Sequence, residues 1–186
     1  MPRVLVPLAE GFEELEAVTV IDLLRRAGID VVTAGLAPGP VKASRGTVIV
    51  PDTTLDAVLD QDFDMVVLPG GMPGAKHLNE DARIKALLKR MAEAGKFTCA
   101  ICAAPMVLAN AGLLSGKKAA TYPGFLDRME LADVTYVAEP VVRDGNVITS
   151  RGPGTAMDFA LNLVEVLVGR AKREEVEAAL LRPTKA

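Results

Sequence analysis

Both cysteines of the 186-residue chain fall in one stretch, "CAICAAP" at 99–105. Their C-x-x-C spacing admits three chemistries: a redox dithiol, half of a zinc site, or one reactive thiol beside an unrelated one. Zinc held by both sulfurs needs histidine or carboxylate partners, and the chain has a single histidine, His77. The remaining choice depends on the backbone. "KFTCAI" (96–101) reads as a buried strand, with Cys99 inside it and Cys102 just past its end. Three extended residues put the two Cα atoms about 10 Å apart and turn the side chains to opposite faces. A disulfide needs Cα atoms within about 7 Å, and redox C-x-x-C pairs sit on the first turn of a helix. The two cysteines therefore read as unrelated, with Cys99 in the core.

Cys102 stands at a sharp strand-to-helix turn. Ala100-Ile101-Cys102-Ala103-Ala104 is built like the G-x-S-x-G elbow of hydrolases, with small residues where glycines would stand. A helix beginning near Ala104 is expected to favour the thiolate through its dipole and free N–H groups. Position alone leaves a second reading open, because free cysteine is also among the most buried and inert residue types.

Glu16 favours the reactive reading. In the helical pattern "EELEAVTVIDLLRRAG" (13–28) it shares a stripe with Val20, Leu23 and Ala27, so it points inward. Burial raises a carboxyl's pKa and keeps it a proton donor near neutral pH, and a proton-bearing carboxyl facing a thiolate is a catalytic pair. The competing reading is a carboxylate escaping at the rim of its helix. Glu13 and Glu14 read as charges at a helix N-terminus. "LPGG" (68–71) ends a central strand, where glycines let backbone N–H groups face a reacting oxygen; it equally fits an ordinary tight turn. His77, in "PGAKHL", begins or follows a short helix and reads as a surface residue.

These residues need a frame. Strand-length apolar runs alternate with helical patterns: strands at 3–8, 30–35, 63–71 and 96–101, helices at 13–28, at 79–95 with Asn79 as N-cap, and from about 104. Residues 41–52 read as a hairpin turning near Arg45-Gly46, and 141–150 as one turning at Asp144-Gly145. Residues 117–137 read as two strands around a short helix. A long helix follows at 154–169, with Thr155 and Asp158 spaced as a capping box, then a short one at 173–181. This alternation predicts an α/β doubly wound, mostly parallel sheet sandwiched by helices, formed by one domain spanning 1–186. Such folds place their sites at the C-terminal ends of the strands, the edge that holds Glu10-Gly11, Gly70-Gly71 and Cys102.

Composition excludes several classes. A net charge of −3 gives no electrostatic reason for a nucleic-acid or anionic-membrane partner. The first apolar run is too short for a signal peptide or a spanning helix, so the protein reads as cytoplasmic. No G-x-G-x-x-G follows the first strand and no phosphate-loop motif occurs, which leaves nucleotide cofactors without support.

"GFEELEAV", "VVLPGGMPGAKHL", "AICAAP" and "TSRGPGTAMDFAL", in that order, resemble the ThiJ/PfpI superfamily, nearest the branch of the parkinsonism-associated protein deglycase and its YajL-like bacterial relatives. The resemblance runs along nearly the whole chain. It implies a flavodoxin-like homodimer working without metal or organic cofactor. Carried over by position, it makes Cys102 the oxidation-prone nucleophile and Glu16 the carboxyl bound to it. The N–H groups of Gly71 and Ala103 become the oxyanion hole, and Gly70, Tyr122, Arg45 and Gly152-Pro153 line the substrate pocket or the dimer interface. Where the human-type protein has histidine in a T-H-P segment, this chain has Tyr122 in "ATYPG"; where the family's proteases have histidine after the cysteine, it has Ala103. A Cys–His dyad, and hence a peptidase, is not expected.

The function implied is that of a glyoxalase III or protein deglycase acting on methylglyoxal or its adducts, including glycated protein. The alternative is an oxidative-stress sensor or redox-regulated chaperone that works through Cys102 sulfinate.

Overall fold

The computed structural model describes residues 1–183. Its strands are β1 (Arg3–Leu8), β2 (Asp30–Gly35), β3 (Val41–Lys42), β4 (Val48–Ile49), β5 (Thr53–Thr54), β6 (Met65–Leu68), β7 (Phe97–Ile101), β8 (Lys118–Ala119), β9 (Thr135–Tyr136), β10 (Val141–Asp144) and β11 (Val147–Ser150). Its helices are α1 (Glu14–Arg26), α2 (Gly74–Glu80), α3 (Ala82–Glu93), α4 (Pro105–Asn110), α5 (Ala156–Val168) and α6 (Arg170–Ala179). Seven strands form the main sheet in the order β10-β11-β7-β6-β1-β2-β5. All its pairings are parallel except β10 with β11. The α/β doubly wound sheet flanked by helices expected from the sequence is therefore present.

β1, β6 and β7 occupy the middle, and their unbroken apolar runs follow from burial on both faces. Val4, Leu5, Val66, Leu68, Ala100 and Ile101 are fully buried. α1 packs against α5 and α5 against α6, while α3 and α4 pack on β7. α1, β6 and β7 thus meet at one sheet edge, where Glu16, the glycine pair and Cys102 are brought together. Among the described residues no helix is long and apolar enough to cross a membrane.

Both hairpins form where expected. β3 pairs antiparallel with β4 around Gly46 at φ 98°, and β10 with β11 around Gly145 at φ 63°. Residues 117–137 give the short pair β8 and β9 around a 3-10 turn at Leu126–Arg128. Four expectations are corrected. The helix expected over 79–95 is two helices, because Asp81 is extended (φ −78°, ψ 114°) and its side chain caps α3 by accepting from Arg83 N at 2.8 Å. Asn79 lies inside α2, accepting from Asn110 at 2.9 Å, and His77 also lies within that helix. Thr155 forms no cap with Asp158: its hydroxyl bonds Ser150 at 2.7 Å and Gly152 at 3.0 Å, and Asp158 pairs with Arg182. The last helix begins earlier than expected, at Arg170, directly after Gly169 breaks α5 at φ 91°.

Candidate active site

β7 ends at Ile101, and the chain turns at Cys102 with φ 64°. A side chain in this left-handed region costs about 1–2 kcal/mol, so neighbours must hold it there. Three hydrogen bonds to its own backbone groups do. Cys102 N donates to Ser150 O at 3.0 Å, and Cys102 O accepts from Thr121 Oγ1 at 2.7 Å and Tyr122 N at 2.9 Å. Ala103 and Ala104 are buried, which leaves no room for larger residues at the turn. The elbow read from the sequence is present.

Glu16 sits in the first turn of α1, 0% exposed. Glu13 caps that helix by accepting from Glu16 N at 2.8 Å. Glu14 instead holds the β3–β4 turn, accepting from Ser44 Oγ and from Arg45 N at 3.0 and 3.1 Å. Inside the fold, Glu16 Oε2 accepts from Gly70 N at 2.8 Å. Oε1 is buried with no partner of ordinary geometry. The polar group facing this carboxyl is the Cys102 thiol, a weak donor. The inward reading of Glu16 holds, and the rim reading does not.

Burial, with a smaller push from the charge of Glu13, carries the Glu16 carboxyl from 4.5 up to about 7, against the Gly70 N–H and the thiol, which hold it down. The thiol of Cys102 rises to about 12, first from burial and then from the facing Glu16 charge. The backbone N–H groups of Gly71 and Ala103 act the other way and pull it down. The expected lowering by a helix N-terminus is thus overridden. α4 has six residues, and a neighbouring carboxylate outweighs its dipole. The two groups titrate as a pair that loses its first proton near pH 7 and then shares one negative charge. A carboxylate in that state can take the thiol proton as the sulfur attacks, which removes the repulsion that kept the sulfur protonated.

Glycine is required at the contact between β6 and the elbow. A Cβ on Gly70 would lie 2.5 Å from Cys102 Cβ and 2.8 Å from Glu16 Oε2. Gly71, at φ 86°, presses on the loop after β1, where a Cβ would lie 2.4 Å from Glu13 N.

The other residues singled out in the sequence scatter. Tyr122 is half exposed, stacks edge-on to Phe125 and lines a small cleft of about 170 Å³ with Arg151, Gly152, Pro153 and Thr155. Arg45 is exposed in its hairpin turn and reaches the site region only through its backbone bonds to Glu14. His77 Nδ1 lies 3.0 Å from Glu10 O, bonded away from the thiol. Thr121 and Ser150, both fully buried, fix the elbow and escaped the sequence reading, since nothing local marks them.

Cys99 is free and fully buried, and burial pushes its thiol far up. Mild peroxide is therefore expected to add two oxygens to Cys102 and leave Cys99 reduced. Peptide mass spectrometry checks this; Cys99 oxidised first, or a Cys99–Cys102 disulfide, would contradict it.

Comparison with known proteins places this arrangement. The chain is 48% identical over 179 residues to the Drosophila melanogaster protein dj-1beta, covering 95% of each chain. It superposes on the crystal structure of Drosophila DJ-1beta with a TM-score of 0.94 at 45% identity, covering 98% of this chain and 99% of that one. Toxoplasma gondii DJ-1, solved in a structure described as oxidized, also gives a TM-score of 0.94, at 41% identity, with 99% of this chain and 100% of that one covered. A Caenorhabditis elegans relative named glutathione-independent glyoxalase DJR-1.2 is 40% identical over 174 residues, covering 94% of this chain and 90% of its own. The DJ-1/PfpI family model matches residues 2–166, and the chain belongs to that family.

Proposed function

We propose that the protein is a cofactor-independent cysteine enzyme acting on α-oxoaldehydes such as methylglyoxal, or on their adducts with amines and thiols. The observation that carries this reading is the buried Glu16 carboxyl shared between the Gly70 N–H and the Cys102 thiol at a strained elbow. A relative named as a glutathione-independent glyoxalase supports the substrate class. Cys102 adds to the aldehyde carbon, and the thiol proton passes through Glu16 to the new oxygen. The N–H groups of Gly71 and Ala103 serve as donors to charge developing there. The Glu16 carboxylate then removes the C1 proton of the hemithioacetal and returns it at C2, while the C1 hydroxyl proton passes to the former ketone oxygen, which gives a hydroxyacyl thioester. The aldehyde carbon is oxidised and the ketone carbon reduced, so no outside electron carrier is needed. Water cleaves the resulting thioester, frees the thiol and releases the hydroxyacid. Lactate formation from methylglyoxal tests the scheme; turnover that persists without the Cys102 sulfur would overturn it.

A second reading is supported by the oxidized Toxoplasma structure: Cys102 as a sensor that oxidises to sulfinate held by Glu16. Lack of dicarbonyl turnover, with intact peroxide sensitivity, would favour it. Two unpaired cysteines fit a reducing, cytoplasmic setting for either role.

The working unit proposed is a homodimer. Leu15 and Val18 of α1 are exposed, as are Val48 and Val50 in and just after the hairpin whose turn Glu14 ties to α1, and a second copy would cover such apolar side chains. Light scattering at micromolar concentration is expected to give twice the chain mass of 19.6 kDa; a monomer would refute the dimer.

A further inference from the structure

Glu14, the first residue of α1, takes no part in the scheme above. Its carboxylate is seated in the β3–β4 turn. Oε1 accepts from Arg45 N at 3.0 Å and Thr47 N at 3.4 Å, and Oε2 from Ser44 Oγ at 3.2 Å and Arg45 N at 3.1 Å. N–H groups converging from a turn form a seat for an anion. Burial pushes this carboxyl up, but the bonds from its own N–H, Arg45, Thr47 and Ser44 outweigh that and hold it below the ordinary carboxylate range. The hairpin belongs to no strand of the main sheet. Two backbone bonds also join it to the segment before α1, from Gly11 N to Lys42 O and from Ser44 N to Phe12 O, both 2.8 Å. On its other side that segment meets the turn after β6. There Glu13 N donates to Gly70 O at 2.9 Å, and a Cβ on Gly11 would lie 2.4 Å from Pro73 Cδ. Residues 11–14 are thus held between the hairpin and the glycine pair, and Glu16 follows within the same helical turn.

We propose that Glu14 is a positioning residue: by fastening α1 to the β3–β4 turn it sets the first turn of the helix so that Glu16 meets the Gly70 N–H and the Cys102 thiol. Bonds to an ionised acceptor are short and directional, which suits such a fastening. The groups that face the Glu16 carboxyl itself are the Gly70 N–H, the Cys102 thiol and the charge of Glu13. Glu14 is bonded to the hairpin instead, so its reach is what Glu16 depends on. The inference deepens the reactive-carbonyl reading and rests on it for turnover alone.

The test sets reach against charge. Glu14→Asp keeps the charge but is one methylene, about 1.5 Å, shorter, and cannot span to Ser44, Arg45 and Thr47 together. Glu14→Gln drops the charge and keeps the reach, with an oxygen for the Arg45 and Thr47 N–H groups and an amide N–H for Ser44 Oγ. The readout is the pH dependence of Cys102 alkylation by iodoacetamide, in which sulfur displaces iodide to form a thioether and no turnover is needed. The wild-type rate is expected to rise through about pH 7, where the Cys102–Glu16 pair loses its first proton. A loosened first turn admits water to Glu16, and relief of burial lets its carboxyl ionise more readily. Glu14→Asp should therefore move the limb toward acid by about one unit, a tenfold change in proton affinity. It should also lower kcat for methylglyoxal about tenfold, short of the cost of a full 1 Å displacement. Glu14→Gln should stay within about 0.3 unit, or twofold, of wild type. A merely structural Glu14 would lower the urea midpoint of Glu14→Asp and leave the limb in place. One acting through its charge would shift Glu14→Gln and spare Glu14→Asp. Either result overturns the proposal. If Glu14→Asp does not fold, Ser44→Ala decides, since it removes one bond of the fastening and keeps every charge; its limb should move toward acid, and an unmoved limb overturns the proposal. If the wild type turns over no dicarbonyl, the enzyme reading fails while the alkylation limb still judges Glu14.

Discussion

Lactate formation from methylglyoxal is expected to vanish in Cys102→Ala and to fall about 1000-fold in Glu16→Gln, the range for loss of a positioned general acid–base. The amide can still accept from Gly70 N–H through its oxygen, so the elbow and the N–H groups of Gly71 and Ala103 should stay in place. What it cannot do is carry a proton. Wild-type kcat/KM should rise as pH increases through about 7, where the Cys102–Glu16 pair loses its first proton, and that limb should disappear in Glu16→Gln. A variant that kept both the rate and the limb would exclude Glu16 as the proton carrier.

The same substitution should act oppositely on stability. Below pH 4.5 the carboxyl is neutral in the folded and unfolded chain, and its burial carries no ionisation penalty. Between 4.5 and about 7 the unfolded chain releases the proton and the folded one keeps it, so stability falls as pH rises. Above about 7 the penalty levels off at about 3 kcal/mol. Glu16→Gln removes it, and should be more stable than wild type at pH 8 by up to that amount, with little difference at pH 4. Asp52, Asp64 and Asp81 are held below the ordinary carboxylate range by their partners and slope the other way. They contribute equally to both proteins, so the difference between two urea titrations reports the coupled Glu16–Cys102 pair alone.

The uneven legibility of this site has a physical pattern. Cys102 and Glu16 were readable because their positions follow from local periodicity: a strand that ends at Ile101 and a helical stripe through Val20 and Leu23. The partners of those side chains were not readable. Gly70 lies 54 residues from Glu16, and Thr121 lies 19 from Cys102, so both contacts depend on sheet order. The direction of the thiol's shift was missed for the same reason. The local helix end argued for a lower pKa, whereas burial and a carboxylate from another element decide it. Asp81 shows the converse, a single extended residue with a capping side chain that divides one periodic pattern into two helices.

Gly70→Ala should damage fold and chemistry together. The added methyl would meet Cys102 Cβ at 2.5 Å, Glu16 Oε2 at 2.8 Å and Ile101 O at 2.9 Å. None of these can swing away: Ile101 O belongs to a central strand, Cys102 Cβ to a turn pinned at both its N–H and its carbonyl, and Glu16 to a buried helix face. Overpacking a site of this kind costs about 3 kcal/mol, read as a lower urea midpoint at unchanged slope. Gly154→Ala, where a Cβ meets nothing within 4 Å, should stay within about 0.5 kcal/mol of wild type. Relief of the clash must push β6 and the elbow apart, which lengthens the Gly70 N–H bond to Glu16 and separates the carboxyl from the sulfur. A displacement of about 1 Å in such a pair costs about 100-fold in rate. Gly70→Ala should therefore lose turnover well below its unfolding midpoint, where circular dichroism still reports a folded chain. Full activity in a folded Gly70→Ala protein would mean that the sulfur and the carboxyl need not touch, and the shared-proton mechanism would fall.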